Sequence, residues 1–168
     1  MTKLADFASH PIEGFARMGG KQFSVPLFSQ ITDNLWTGGC PVGASPDEFK
    51  FVICLYPWEP YDVPEYTTHL VARLYDSHDI PDERQLNAIA DYVNAVSRIG
   101  PTLVHCQAGL NRSALVAGLA LIRSGMHPDD AIRLLREKRC DAVLCNEHFE
   151  RWLRARNDVQ KPQPGRNW

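Results

Sequence analysis

Residues Thr102 to Ala114 read TLVHCQAGLNRSA and join a short apolar run to a longer one. The first run, Thr102–His105, has the length and apolar character of a strand that is buried on both faces. From Ser113 to Ile122 the chain is almost wholly apolar and rich in alanine, which indicates a buried helix. The sequence therefore predicts a strand, a tight loop and a buried helix in direct succession.

The loop between these two elements contains Cys106, followed after five residues by Arg112. Backbone N–H groups of a loop between a strand and a helix point inward, and together with the helix dipole they attract an anion. Gly109 permits the backbone angles of a tight curl, and the planar guanidinium of Arg112 can hold two phosphate oxygens. We expect the same positive field to lower the pKa of Cys106 and to favour a thiolate nucleophile.

Each of these residues also has a purely structural interpretation. A single cysteine at a strand end is more often an inert buried residue, and a single arginine near a helix start is more often a solvated charge. Their joint occurrence at this spacing, between a strand and a helix, favours the chemical interpretation. The segment is therefore interpreted as a phosphate-binding loop with Cys106 at its base.

The run from His105 to Ser113, HCQAGLNRS, resembles the HCxxGxxR[ST] signature of the protein tyrosine phosphatase superfamily, and the chain resembles its compact dual-specificity branch. The resemblance covers roughly residues 31–153, including ITDNLW at 31–36 and KRCDAVLCN at 138–146. It implies an α/β fold with a central, largely parallel sheet of about four to five strands flanked by helices. It also implies that phosphate monoesters of proteins or peptides are hydrolysed through a phosphocysteine, without a metal or other cofactor.

The resemblance gives each loop residue a role. Cys106 is the nucleophile, Arg112 binds the phosphate, Ser113 stabilises the departing thiolate, and His105 orients the loop. The remaining residues are expected to bind the substrate: Gln107, Ala108, Gly109, Leu110 and Asn111. Two alternatives stay open, because Ser113 also suits an ordinary helix N-cap and His105 a satisfied core histidine.

The leaving group of a phosphate ester must be protonated, and the family places an aspartate upstream of the signature for this purpose. The segment YDSHDIPD at 75–82 offers three aspartates. Asp76 directly follows a predicted strand and lies nearest to the family spacing, so we expect it to be the general acid. Asp79 suits a turn, and Asp82 suits the first turn of a helix, where acidic residues stabilise the helix end.

Predicted strands and helices alternate along the rest of the chain, as in an α/β sandwich. The predicted strands are Asn34–Gly39, Phe51–Tyr56 and Thr67–Tyr75, and further helices are expected to begin at Pro81, at His127-Pro128 and after Asn146. Residues 1–30 show no sustained period and are predicted to form an N-terminal extension that lies on the domain or is partly disordered. Residues 31–157 are the predicted catalytic domain, and the Pro-rich, polar residues 158–168 are a predicted flexible tail.

Composition limits the classes of partner. The formal net charge of −2 provides no global basic field, which disfavours nucleic acid as a partner. No signal peptide or long apolar segment is evident, so no membrane association is expected. The five cysteines have neither disulfide-framework nor zinc-site spacing, and they favour a reducing cytoplasm. A monomer in the cytoplasm is the expectation.

The substrate class has several alternatives. No variable residue of the loop is basic, whereas relatives that act on inositol phospholipids often carry lysines there, so that activity is disfavoured. The pair Asn111-Arg112 partly resembles RNA 5′-triphosphatase relatives. A non-catalytic phosphate-binding module and a rhodanese-like or arsenate-reductase-like sulfur enzyme are the remaining alternatives. The aromatic, proline-stiffened loop Tyr56–Tyr61 is a candidate surface for a phosphotyrosine ring, although at least one of its aromatics is expected to pack on the sheet.

Cys54 lies toward the C-terminal end of its predicted strand, where ligand sites form in open α/β sheets. Neighbouring strands would place its sulfur near Cys106. Several dual-specificity relatives, which this chain resembles here, carry a cysteine at the matching strand that traps the oxidised nucleophile as a disulfide. Cys54 is therefore a candidate redox partner, and the alternative is a small, inert buried residue.

Overall fold

The structure, a computed structural model, describes residues 1–7 and 11–156. A 3₁₀ helix, Leu4–Phe7, comes first. The strands in this part of the chain are β1 (Ile12–Ala16), β2 (Lys21–Val25), β3 (Phe28–Gln30), β4 (Leu35–Gly38), β5 (Phe51–Cys54), β6 (Thr68–Val71) and β7 (Thr102–His105). The helices are α1 (Glu83–Ser97), α2 (Arg112–Arg123), α3 (Pro128–Lys138) and α4 (Glu147–Arg154).

Five strands form the central sheet, in the order β3-β4-β7-β5-β6. Strands β4, β7, β5 and β6 are parallel to one another, and β3 pairs antiparallel to β4 at the edge. The predicted α/β fold with a largely parallel sheet of four to five strands is confirmed. The loop after β7 leaves the sheet between two parallel neighbours, at the edge where ligand sites form in such sheets.

The central strands β5 and β7 are buried on both faces, because their side chains alternate between two apolar clusters. Ile53 and Val104 belong to the larger cluster, into which all four α-helices bury side chains. Val52 and Leu103 belong to a smaller cluster, against which Leu4 and Phe7 of the N-terminal segment pack. The α-helices therefore cover one face of the sheet, and the N-terminal segment covers part of the other.

Helix α2 is the buried helix that the sequence predicts, with every side chain from Arg112 to Ile122 buried. The predicted helix start at Pro81 is wrong by two residues, because Asp82 is the N-cap of α1. Its carboxylate accepts hydrogen bonds from the backbone N–H groups of Arg84 (2.8 Å) and Gln85 (3.2 Å). None of the described helices is both long and apolar enough to span a bilayer.

The N-terminal region is more regular than the sequence predicts. Strands β1 and β2 form a separate antiparallel hairpin, and β3 is an edge strand of the central sheet. The sheet therefore begins at Phe28, before the predicted domain start at residue 31. Strands of five and three residues, separated by turns such as Gly19-Gly20, are too short to produce a sustained period. The predicted tail at 158–168 lies outside the described residues.

Candidate active site

The phosphate loop, defined as His105–Ser113, connects β7 to α2. Gly109 has a φ of +70°, and a Cβ there would lie 2.4 Å from the backbone carbon of Gly38, so the position requires glycine. This turn and the start of α2 curl the backbone around Cys106. The backbone amides of Ser113 and Gly109 favour the charged form of the Cys106 sulfur.

Cys106 lies at the base of the phosphate loop with 2% of its surface exposed. Burial by itself raises the pKa of a thiol. The charge of Arg112, the Ser113 hydroxyl at 3.5 Å, and the amides of Ser113 and Gly109 outweigh burial, so the pKa of Cys106 is lowered from its ordinary value. The surroundings of this sulfur therefore favour a thiolate.

The guanidinium of Arg112 lies beside the thiol and is incompletely satisfied. Its Nη1 donates to the Leu74 carbonyl at 3.4 Å, and its Cζ lies 5.0 Å from the centre of the Tyr56 ring. Arg112 is buried, and its Nε has no hydrogen-bond partner among the described residues. A buried unpaired donor is costly unless a ligand satisfies it, and a phosphate oxygen is a suitable acceptor. This environment therefore fits an anion.

Among the three candidate general acids, the structure brings one to the thiol. Asp76 lines the same cleft as Cys106. Asp79 lies in a turn, where its backbone N–H and carbonyl contact the Ser77 hydroxyl at 3.3 Å. Asp82 is the N-cap of α1, so it stabilises the helix start in the way expected of an acidic residue there.

Two buried asparagines hold the Asp76 carboxylate. Oδ2 accepts a hydrogen bond from Asn111 Nδ2 (2.9 Å), and Oδ1 accepts one from Asn146 Nδ2 (2.8 Å). The Asn111 Oδ1 in turn accepts from the backbone N–H of Asn146 at 2.9 Å. Asn111 lines the cleft, and its side-chain amide binds Asp76. The predicted contact of Asn111 with substrate is therefore expected from its backbone.

The other predicted loop residues divide by position. Those that line the cleft beside Cys106 and Arg112 are Gln107, Ala108, Leu110 and Asn111. Gly109 supplies the turn rather than a wall. Ser113 lies inside α2, whose N-cap is Asn111, so the N-cap alternative for Ser113 is wrong.

His105 is buried and fixed at both ring nitrogens. Nδ1 lies 3.1 Å from the Cys106 carbonyl oxygen, and Nε2 lies 2.5 Å from the Tyr61 hydroxyl oxygen. The Tyr61 hydroxyl also lies 3.1 Å from His69 Nε2. Burial lowers the pKa of His105 to about 4, so the ring is neutral at neutral pH. The core-histidine and loop-orienting interpretations therefore describe the same contacts.

Arg139, which the sequence analysis did not single out, holds the phosphate loop from behind. It is buried and donates to the carbonyls of Gly109 (2.7 Å, from Nε) and Ala108 (2.8 Å, from Nη2). Its Nη1 donates to the Pro26 carbonyl and the Ser29 hydroxyl, both at 3.0 Å. Burial lowers the pKa of Arg139 to about 10, which leaves it charged at neutral pH. The carbonyls that it binds point away from the cleft, and the loop amides remain for an anion.

The cleft above the phosphate loop measures about 800 Å³ and has two further walls. The aromatic wall consists of Tyr56, Trp58 and Tyr75, with successive ring centres 5.0 Å and 5.4 Å apart. The hairpin wall consists of β1, Arg17, Met18 and Phe23. The sequence indicated the first wall through its aromatic loop but gave no sign of the second.

Cys54 lies beside the phosphate loop, as predicted. It pairs in register with His105 across the parallel strands β5 and β7, one residue before Cys106. Burial raises the pKa of Cys54, and both thiols are free in the structure. A third thiol, that of Cys40, belongs to a residue that contacts the phosphate loop, because the Cys40 backbone N–H donates to the Gln107 carbonyl at 2.9 Å.

The fold has close counterparts among solved structures. A mouse protein described as a dual specificity phosphatase, solved with zinc tungstate, has a TM-score of 0.70 at 20% identity over 79% of this chain and 87% of that chain. Human DUSP28 has a TM-score of 0.67 at 17% identity over 80% and 95% of the two chains. At these identities the likeness concerns the fold.

Sequence comparison gives the family. Human protein tyrosine phosphatase type IVA 3 is 52% identical over 40 residues, which are 24% of this chain and 23% of that protein. The match thus spans less than a quarter of this curated relative. The family model "Dual specificity phosphatase, catalytic domain" matches residues 47–158, well over half of the 168 residues. The chain therefore belongs to the dual specificity phosphatase catalytic domain family.

Proposed function

We propose that this chain hydrolyses phosphate monoesters of proteins through a phosphocysteine intermediate. One arrangement carries the proposal: Cys106, whose pKa is lowered, lies beside the unpaired Nε of Arg112 and shares a cleft with Asp76. A nucleophile, an anion-binding cation and a proton donor are the groups that this reaction needs.

In the first step the Cys106 thiolate attacks phosphorus, and the S–P bond forms as the bond to the leaving oxygen breaks. Asp76, acting as the general acid, gives a proton to that oxygen. In the second step the Asp76 carboxylate takes a proton from water, and the water oxygen attacks phosphorus as the S–P bond breaks. The Ser113 hydroxyl, 3.5 Å from the sulfur, stabilises the thiolate as it leaves. Arg112 and the loop amides bind the phosphate oxygens throughout.

The aromatic wall supports phosphotyrosine as the preferred phosphorylated residue. Tyr56, Trp58 and Tyr75 border the approach to Cys106, and exposed edges of Trp58 and Tyr75 remain available for stacking. Contacts between aromatic rings contribute about 0.5–1.5 kcal/mol beyond the area that they bury. A phosphoserine side chain has no ring with which to make them.

The test is phosphate release from p-nitrophenyl phosphate in the presence of a chelator, followed by a substrate panel. The panel contains peptides with phosphotyrosine, phosphoserine or phosphothreonine, a phosphoinositide, and RNA with a 5′-triphosphate. We expect phosphate release that does not depend on metal, and the highest kcat/KM for the phosphotyrosine peptide. Absence of any release overturns the enzymatic proposal and favours a binding module, whereas preference for the lipid or the RNA overturns the substrate class.

We also propose that Cys54 protects the oxidised nucleophile. A thiolate of low pKa is readily oxidised to a sulfenic acid, and condensation with a neighbouring thiol gives a disulfide and water. The pairing of Cys54 with His105 supports this partner. After brief treatment with peroxide, activity should return with dithiothreitol in the parent chain and return much less in Cys54→Ala. The Cys40→Ala variant is the matched control, and equal recovery in all three proteins would leave Cys54 as a core residue.

A further inference from the structure

The hairpin wall meets the active-site cleft in an unusual way. All five residues of β1, Ile12 to Ala16, line the cleft, whereas β2 contributes Phe23. Successive side chains of a strand point to opposite faces of its sheet. A cleft that touches every residue of one strand, and one residue of its partner, must therefore face the edge of that strand.

The backbone at this edge is available for pairing. The hairpin is a two-stranded sheet in which β1 pairs with β2 from Ile12↔Val25 to Ala16↔Lys21. Apart from its pairing with β2, the backbone of β1 has one hydrogen bond among the described residues, from the Gly20 N–H of the hairpin turn to the Ala16 carbonyl (3.0 Å). An open strand edge presents a row of N–H and C=O groups that another extended chain can bind.

The hairpin is held in place against the catalytic residues. The Met18 carbonyl at its tip accepts hydrogen bonds from Cys145 Sγ (3.1 Å) and Asn111 Nδ2 (3.4 Å), the latter being the amide that binds Asp76. Gly19, at φ +100°, packs so closely that a Cβ would lie 2.1 Å from the Cys145 carbonyl oxygen. The edge of β1 therefore has a fixed position relative to the phosphate loop.

We propose that the edge of β1 binds the main chain of the phosphorylated substrate as a third, added strand. This inference rests on the proposed function and specifies its substrate: an extended peptide segment, with the phosphorylated side chain directed to Cys106. The occupant follows from continuity, because the cleft that holds the phosphate loop also contains the edge. Its volume of about 800 Å³ lies high in the usual range for ligand sites, roughly 300–1,000 Å³, so main chain fits beside the side chain.

Strand addition predicts a particular dependence on substrate structure. Backbone hydrogen bonds provide the affinity, and alternate residues of the added strand direct their N–H groups to the edge. A seven-residue phosphotyrosine peptide should therefore exceed free phosphotyrosine in kcat/KM by about ten- to a hundredfold, as two or three added hydrogen bonds allow. The sequence of the flanking residues should matter much less.

N-methylation of the peptide backbone tests this dependence with the enzyme unaltered. Methylating single flanking amides should lower kcat/KM by about three- to tenfold at every second residue on one side of the phosphotyrosine. The intervening N-methyl peptides are the matched controls and should behave like the parent. Equal turnover of all the peptides, or a parent peptide no better than free phosphotyrosine, would overturn strand addition while leaving the phosphatase proposal intact.

A second measurement uses the Cys106→Ser variant, which should bind substrate without turning it over. Amide hydrogen exchange resolved by residue should show new protection at alternate residues of Ile12–Ala16 when the phosphopeptide binds. Inorganic phosphate should protect the phosphate loop without protecting β1. Protection confined to the phosphate loop with both ligands would contradict the inference. Failure of the parent chain to hydrolyse p-nitrophenyl phosphate would instead contradict the proposed function.

Discussion

The phosphate loop and the hairpin wall border the same cleft, but they are built in different ways. Most of the loop is buried, Arg139 holds it from behind, and the helix that follows is buried from Arg112 to Ile122, so the backbone groups of the loop have little freedom. The hairpin has two strands, an open edge and an exposed Phe15. Chemistry needs atoms in fixed positions, whereas recognition of varied peptides needs an open backbone. The loop thus sets the reaction, and under the strand-addition proposal the hairpin sets the form of the substrate.

The largest effect should come from the nucleophile. Cys106→Ser should abolish turnover of every substrate, because serine has no thiol that can ionise to the attacking thiolate. Phosphate binding should persist, because Arg112 and the loop amides remain. Steady-state hydrolysis and isothermal titration with a phosphotyrosine peptide check the two halves of the prediction. Hydrolysis above the level of contaminants would remove Cys106 from its assigned role.

Asp76→Asn should lower kcat for aryl phosphates by about 10²–10⁴, the usual contribution of general acid catalysis. The loss should shrink as the leaving group improves, because a good leaving group needs no proton. Asp79→Asn is the matched control, since Asp79 lies in the neighbouring turn. A larger loss in Asp79→Asn would show that the wrong carboxylate has been chosen.

Arg139→Met should destabilise the fold by about 3 kcal/mol or more, because hydrogen bonds to a charged donor contribute about 1.5–3 kcal/mol each and two loop carbonyls lose their partner. Residual activity should fall as well, since the loop amides lose their fixed direction. Arg133→Met removes a surface ion pair with Asp130 and should cost about 0–1 kcal/mol. Urea unfolding of both variants measures the difference, and equal midpoints would mean that Arg139 does not hold the loop.

The smallest effect on kcat should come from Asn146, whose side-chain amide binds the general acid Asp76. Asn146→Ser keeps an oxygen for the α4 cap but loses the amide that binds Asp76. It should lower kcat by about three- to tenfold for a poor leaving group, and less for a good one. Asn94→Ser, which removes a partly buried hydrogen bond from the side-chain amide to the Ala120 carbonyl, is the control.

A double-mutant cycle separates the positioning of Asp76 by Asn146 from the stabilisation of α4 by Asn146. In the Asp76→Asn background, Asn146→Ser should produce no further loss of kcat, because the carboxylate that it positions is gone. If Asn146→Ser lowers kcat by the same factor in the parent chain and in Asp76→Asn, Asn146 acts only through the stability of α4.

The part of the site that the sequence predicts most fully is the part whose residues are contiguous. From Thr102 to Ile122 the strand, the loop and the helix follow one another, so apolar pattern, Gly109 and the spacing of Cys106 and Arg112 are all visible in one short segment. The parallel sheet followed from the same alternation of elements. Asp76 was accessible because it directly follows the predicted strand Thr67–Tyr75, although β6 itself ends at Val71.

The residues that were missed act across long separations. Arg139 binds the carbonyls of Gly109 and Ala108, which lie 30 and 31 residues away in sequence. Nothing in the sequence around Arg139 specifies which carbonyls it binds. The hairpin wall was not predicted, because its two strands have only five residues each and form a sheet separate from the central one. The side chain of Asn111 was assigned to substrate binding, and its contact with Asp76 was not foreseen because the two residues are 35 apart in sequence.

The most direct test of the account is chemical identification of the covalent intermediate. The enzyme is mixed with p-nitrophenyl phosphate, quenched rapidly and digested for mass spectrometry, with Cys106→Ser as the control. We expect a phosphoryl group on the peptide that contains Cys106, transient in the parent chain and absent from the control. Turnover without any phosphorylated peptide, or a phosphoryl group on another residue, would contradict the phosphocysteine mechanism.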